Sequence, residues 1–195
     1  LEPFCTRIEV VRLWRWWSGL RIISALVRRE PLQVGYFRSA AAKAKVRRLV
    51  ADFAPDHLIA QLIRTAPYAR GLPVARTIDY MDAFSRGLRQ REAMSRHPAR
   101  LILGRERRAV RRYERAVFDD FDHRTIISAR DRRSIDHPER DSIRLVPNGV
   151  DLQRFSTASE GGDHDVVASL GVQIPYILWT GTVFERRMPG LVLEA

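Results

Sequence analysis

Apolar residues come in short runs along this chain, each closed by Pro, Gly or a polar cluster. Ile8-Glu-Val-Val-Arg-Leu13 is β-prone and predicts a strand. Leu20 to Val27 is apolar, with Arg21 inside it and Arg28-Arg29 after it, and predicts a helix that Pro31 must end. Ser39 predicts the cap of a helix over 40–53, with Val46, Leu49, Val50 and Phe53 on one stripe. Pro55-Asp56 breaks that helix, and residues 57–60 read as a short buried strand. Residues 67–73, between two prolines, read as a loop. A strand over 74–78 runs directly into Asp79-Tyr-Met-Asp82. Pro98 opens a long helix with Leu101, Leu103, Val110, Tyr113 and Val117 on one side. Arginines from Arg105 to Arg115 take the other side, with Glu106 and Glu114 read as their partners within the helix. Residues 124–127 predict a strand, and Ser128-Ala-Arg-Asp131 a capping box with Asp in the third position. A further strand, 143–146, stops at Pro147. A polar, Gly-containing stretch at 156–165 precedes a short helix and a last strand, 175–180, ending in Gly181.

Short strands alternating with helices predict βα units, hence a parallel sheet with helices on both faces. In such sheets function gathers beyond the carboxyl ends of the strands. The stretch Ile143-Arg-Leu-Val-Pro-Asn-Gly-Val-Asp-Leu-Gln-Arg-Phe155 is the most specific piece of turn chemistry. Pro147 cannot donate to a ladder. Asn148 and Gly149 tolerate positive φ and predict a sharp reversal. Asp151 can accept amide hydrogens of the next turn, and Phe155 can anchor it. The reading is a rigid exit from one fold, a looser linker, and the start of another. Residues 1–146 form the first domain, 147–171 the crossing and linker, and 172–195 the beginning of the second domain.

That same stretch resembles the interdomain crossing of the family 4 retaining glycosyltransferases, the group 1 sugar transferases, with their V-x-N-G-V-D-x-x-x-F element. Thr77-Ile-Asp-Tyr-Met-Asp-Ala-Phe-Ser85 is similar to the D-x-x-D-x-x-S segment of exopolysaccharide sugar transferases in that group. Phe121 to Ser128 resembles the family's strand before a helix, and Tyr176 to Gly181 the first strand and glycine turn of its nucleotide-sugar domain. The resemblance implies a two-domain GT-B architecture, here an incomplete Rossmann-like N-terminal domain and the start of a second. It implies transfer of a sugar, with retention, from a nucleotide sugar to a glycan or lipid-linked acceptor in surface polysaccharide assembly. The family's glycine-rich loop has no match, and Glu185 and Glu194 miss the spacing of its donor glutamates by one residue. The chain is therefore expected to be part of a longer enzyme. The implied setting is cytoplasmic, peripheral to the inner face of the cell membrane. No metal or other cofactor is expected, since transferases of this kind use basic side chains and helix dipoles.

Transfer needs positive charge or amides at the leaving diphosphate and an acceptor hydroxyl held close to the anomeric carbon. Asp79 and Asp82, just past a strand, are the candidate catalytic residues, to orient hydroxyls. The competing reading has one of them capping the next helix. Asn148, Gly149 and Asp151 read either as hinge or as substrate contacts. Gly181 and Arg187 are the donor-side candidates.

Charge adds a second theme. The net charge is +11, carried almost wholly by Arg, and favours anionic partners. Leu13-Trp-Arg-Trp-Trp-Ser-Gly-Leu-Arg places Trp14, Arg15, Trp16, Trp17 and Arg21 together, the pairing that settles among lipid headgroups. An anionic membrane surface is thus one expected partner. The other reading of this segment is a packed corner. A function of another class remains: a non-catalytic basic module for nucleic acid or membrane, using Arg105 to Arg115. Glu106 and Glu114 interrupt that helix and no nucleic-acid signature accompanies it, so nucleic acid is not the expected partner. The single cysteine, Cys5, reads as a packing residue.

Overall fold

The computed structural model describes residues 5–13, 17–153, 169 and 171. Its backbone divides between Asn148 and Gly149 into two compact units. The first holds α1 (Ser18–Val27), α2 (Leu32–Phe37), α3 (Ala40–Phe53), β1 (His57–Gln61), α4 (Ala66–Ala69), β2 (Ala75–Asp79), α5 (Phe84–Ala93), α6 (Ala99–Asp119), β3 (His123–Ile126), α7 (Ala129–Arg132) and β4 (Arg144–Leu145). The sheet order is β1-β2-β3-β4 and every pair is parallel. This is an α/β architecture compatible with a Rossmann-like fold.

The order has a consequence for layering. Right-handed crossovers that always step in one direction return their helices to one face of the sheet. Burial follows that rule. Ala60, Ile78 and Ile126 point into a core shared with Val110, Val117 and Phe118 of α6. The opposite face carries His57, Ile59, Gln61, Thr77, Asp79, His123 and Thr125, all exposed or half-buried. Ile59 is 70% exposed. The expectation of helices on both faces is therefore corrected among the described residues. So is the expectation that β1 is buried, because it is the edge strand.

Other differences have local causes. Residues 7–13 form no strand. They lie along α3 instead, where Lys45 Nζ reaches Glu9 at 2.6 Å and donates to the Val10 carbonyl at 3.3 Å. A ladder needs a neighbouring strand, and none is offered there. The α3 stripe faces this segment and not the main core, so Phe53 stays exposed. Cys5, on the same segment, is exposed and not packed. The loop expected after Pro67 contains α4, because Pro67 stands in the first turn, where a missing N–H costs nothing.

Several local signals gave the element they predicted. Ser39 Oγ accepts from the Ala42 amide at 3.2 Å at the start of α3. Ser128 Oγ accepts from the Asp131 amide at 3.1 Å at the start of α7. Pro147 follows the last ladder bond, Val146 N to the Ile126 carbonyl at 2.9 Å.

The α1–α2 pair rests on a close approach at Gly35. A Cβ built there would lie 2.3 Å from the Ala25 Cβ and 3.0 Å from the Arg21 carbonyl oxygen. Ala25 is a short side chain on helix backbone and cannot swing away. Gly35→Ala should therefore cost about 1–3 kcal/mol through overpacking, despite Ala's better helix propensity of about 1 kcal/mol. Urea unfolding measures it, and adding Ala25→Gly should recover most of the loss. A second substitution that recovers nothing would place the strain elsewhere.

Candidate functional site

The carboxyl ends of β1, β2, β3 and β4 share one edge, at Gln61, Asp79, Ile126 and Leu145. Asp79 fastens it. Its Oδ1 accepts from Thr125 Oγ1 at 3.1 Å and from the Met81 amide at 3.2 Å, and its Oδ2 from Gln61 Nε2 at 3.4 Å. One carboxylate thus joins three strands. The backbone beside it is drawn tight. Leu62 N donates to the Asp79 carbonyl at 2.7 Å, Tyr80 N to that of Thr125 at 2.9 Å, and Ile127 N to that of Met81 at 3.2 Å. Leu62 and Met81 have φ of 69° and 59°. Left-handed backbone at such side chains costs about 1–3 kcal/mol each and persists only where surrounding bonds impose it. Asp82, one residue past Met81, is exposed and makes no hydrogen bond or ion pair among the described residues. The two aspartates therefore differ in kind: Asp79 is committed to structure, and Asp82 is free to meet a ligand.

Neither aspartate caps α5. Its N-cap position is Ala83, without a side-chain bond. The cap comes from another helix. Glu114 of α6, fully buried, accepts from the Ser85 amide through Oε1 at 3.1 Å. Its backbone carbonyl accepts from the Tyr80 hydroxyl at 2.9 Å, and its Oε2 is buried without a partner. Burial pushes the Glu114 carboxyl up to about 7. The Ser85 hydroxyl and amide and the Phe84 amide pull it back, while the nearby Asp131 carboxylate raises it further. Glu106 acts in the same way one end along: its two oxygens accept from the Leu32 amide, at 2.8 and 3.1 Å, at the start of α2. Both glutamates thus serve as caps between helices. Glu106 also meets Arg105 of its own helix at 3.5 Å, as expected, whereas Glu114 pairs with no α6 arginine among the described residues, which corrects its reading. The signal lay in the spacing. Each stands four residues from Val110, on the buried stripe.

The remaining predicted site residues fall elsewhere. Neither Asn148 nor Gly149 adopts positive φ, so the sharp reversal expected there is absent. The turn comes at Leu152-Gln153, where the Asp151 carboxylate accepts from the Gln153 amide at 3.1 Å. Gly181 and Arg187 lie outside the described residues, as do Trp14, Arg15 and Trp16. Trp17 is exposed, with Leu20, Ile23 and Val27 exposed on the same side of α1. Arg21 turns the other way. It is half-buried, and its Nη1 is shut from solvent without a partner.

Among the described residues no three His, Cys, Asp or Glu side chains stand together as a metal site. The three aspartates that precede His123 in sequence take separate partners: Asp119 meets His137 at 3.2 Å, Asp120 meets Arg70, and Asp122 accepts from the Arg76 amide at 2.8 Å. No helix among the described residues is long and apolar enough to cross a membrane. No protein-family model matches the chain, and no curated protein matches it either.

Proposed function

We propose that this chain is the acceptor-side part of a GT-B sugar transferase. It moves a sugar, with retention, from a nucleotide sugar to a glycan or lipid-linked acceptor. One observation carries the reading. Parallel strands bring the Asp79–Asp82 segment and the Pro147-Asn148 exit to the same edge of one sheet, in the chain order of the resemblance. Asp82, exposed at that edge, orients the acceptor hydroxyl, and Asp79 holds the strained turn that presents it. The exposed Trp17, Leu20, Ile23 and Val27 side of α1, followed by Arg28 and Arg29, supports contact with an anionic membrane where a lipid-linked acceptor resides.

The two aspartates separate experimentally. Asp82→Asn should lower transfer by about 10²-fold, the loss expected when a reacting group is no longer positioned, with the unfolding midpoint unchanged. Asp79→Ala should lower transfer and also destabilise the fold by about 1–3 kcal/mol, because Thr125 and the Met81 amide lose their acceptor. Full transfer by Asp82→Asn, measured as labelled sugar in the acceptor, would remove Asp82 from the site. Flotation with anionic vesicles tests the membrane contact: binding should fall in Leu20→Ser and Ile23→Ser, and absence of binding by the parent would end that part.

A further inference from the structure

An arginine basin lies between the first turns of α5, one side of α6 and the segment after α7. Its walls carry six guanidinium groups, from Arg86, Arg89, Arg107, Arg111, Arg133 and Arg140, against one carboxylate, Asp136. Half of these cations are offset: Arg86 by Asp131 at 3.3 Å, Arg107 by Glu92 at 2.6 Å and Arg111 by Asp136 at 3.1 Å. Arg89, Arg133 and Arg140 form no ion pair among the described residues, and all three are exposed. A neighbouring depression on the α5–α6 hairpin shares Arg89, Arg107 and Arg111 and adds Arg100 together with Glu92, the carboxylate that pairs with Arg107, so cations still outnumber carboxylates along it.

Shape and chemistry narrow the ligand. The cavity is about 280 Å³, below the roughly 300–1,000 Å³ of sites for drug-sized molecules. No aromatic side chain lines it, so a nucleobase has nothing to stack on. Guanidinium forks match the oxygens of phosphate in pairs. Unpaired like charges held together repel one another, and a bound anion relieves that repulsion.

We propose that this basin binds a phosphate or diphosphate group, carried either by a soluble phosphate ester or by a lipid. The assignment does not rest on the sugar-transfer reading, since neither Asp79 nor Asp82 contributes to the basin.

Calorimetry with inorganic pyrophosphate at about 0.15 M salt, where exposed charges are screened beyond about 8 Å, tests it. The parent should bind. Arg89→Ala, Arg133→Ala and Arg140→Ala should each weaken binding about tenfold, the loss expected for a charged hydrogen-bond partner. These side chains are exposed and unpaired, so the fold should be unaffected. Arg112→Ala and Arg115→Ala remove the same charge from exposed positions of α6 outside the basin, and should change binding by less than about twofold. No binding by the parent, or equal weakening by all five variants, would overturn the proposal. Vesicles containing phosphatidic acid then distinguish the sources. If they displace pyrophosphate the group is lipid-borne, and if they do not it is soluble.

Discussion

Phe118→Ala is expected to cost the fold about 3–5 kcal/mol, the usual range for deleting a buried aromatic ring. Phe118 is 1% exposed and sits where α6 meets β3. The His137 ring stacks on it with centroids 3.6 Å apart, and the Arg124 guanidinium lies 4.2 Å from its centre. Arg124 also donates to the Phe118 carbonyl at 2.8 Å. One ring therefore joins α6, β3 and the segment after α7, so its loss leaves a cavity and removes the surface against which the His137 ring and the Arg124 guanidinium rest. Urea unfolding should show a lower midpoint with the same slope. Phe118→Leu, which keeps most of the volume, should lose clearly less. Equal losses for Leu and Ala would mean that the ring's stacking outweighs its volume.

The second large effect concerns Glu114 and has a pH signature. The folded carboxyl titrates near 7, against an ordinary value of 4.5. Between those values the folded protein keeps a proton that the unfolded chain has released. Stability therefore falls as pH rises from 4.5 towards 7, and the contribution is full below 4.5. Across the window the change is about 3 kcal/mol. Glu114→Gln retains an acceptor for the Ser85 amide and cannot ionise. It should be more stable than the parent at pH 8, by about 1–3 kcal/mol, with no such gain at pH 4.5. The difference between the two stability curves isolates this group from every other group that the two proteins share. Parallel curves would show that the Glu114 carboxyl titrates in the folded protein as it does in the unfolded chain, and would contradict the account.

Caps written in adjacent residues were legible, as Ser39 with Ala42 and Ser128 with Asp131 show. Strands with a parallel neighbour were legible too, because apolar runs ending at Asp79, at Ile126 or before Pro147 become ladder members. The run from Ile8 to Leu13 had the same composition but no strand beside it, and composition does not supply one. The cap of α5 was out of reach of local reading, since its donor and acceptor lie 29 residues apart. The layering was hidden because it depends on strand order, which periodicity does not encode. The Asp79-x-x-Asp82 spacing placed both aspartates at the end of β2 but did not separate their surroundings. Only the tertiary bonds of Asp79 distinguish a fastener from a free carboxylate. The arginine basin illustrates the same limit: Arg86 and Arg140 are far apart in sequence, and α5, α6 and the segment after α7 must assemble before the charges converge.

Incubating the full-length protein with labelled nucleotide sugars and a lipid-extracted acceptor pool, then reading the anomeric configuration of the product, tests the central claim most directly. The expected result is label in the acceptor with the donor's configuration retained. Donors left unbound and intact across the whole series, with acceptor present, would contradict it.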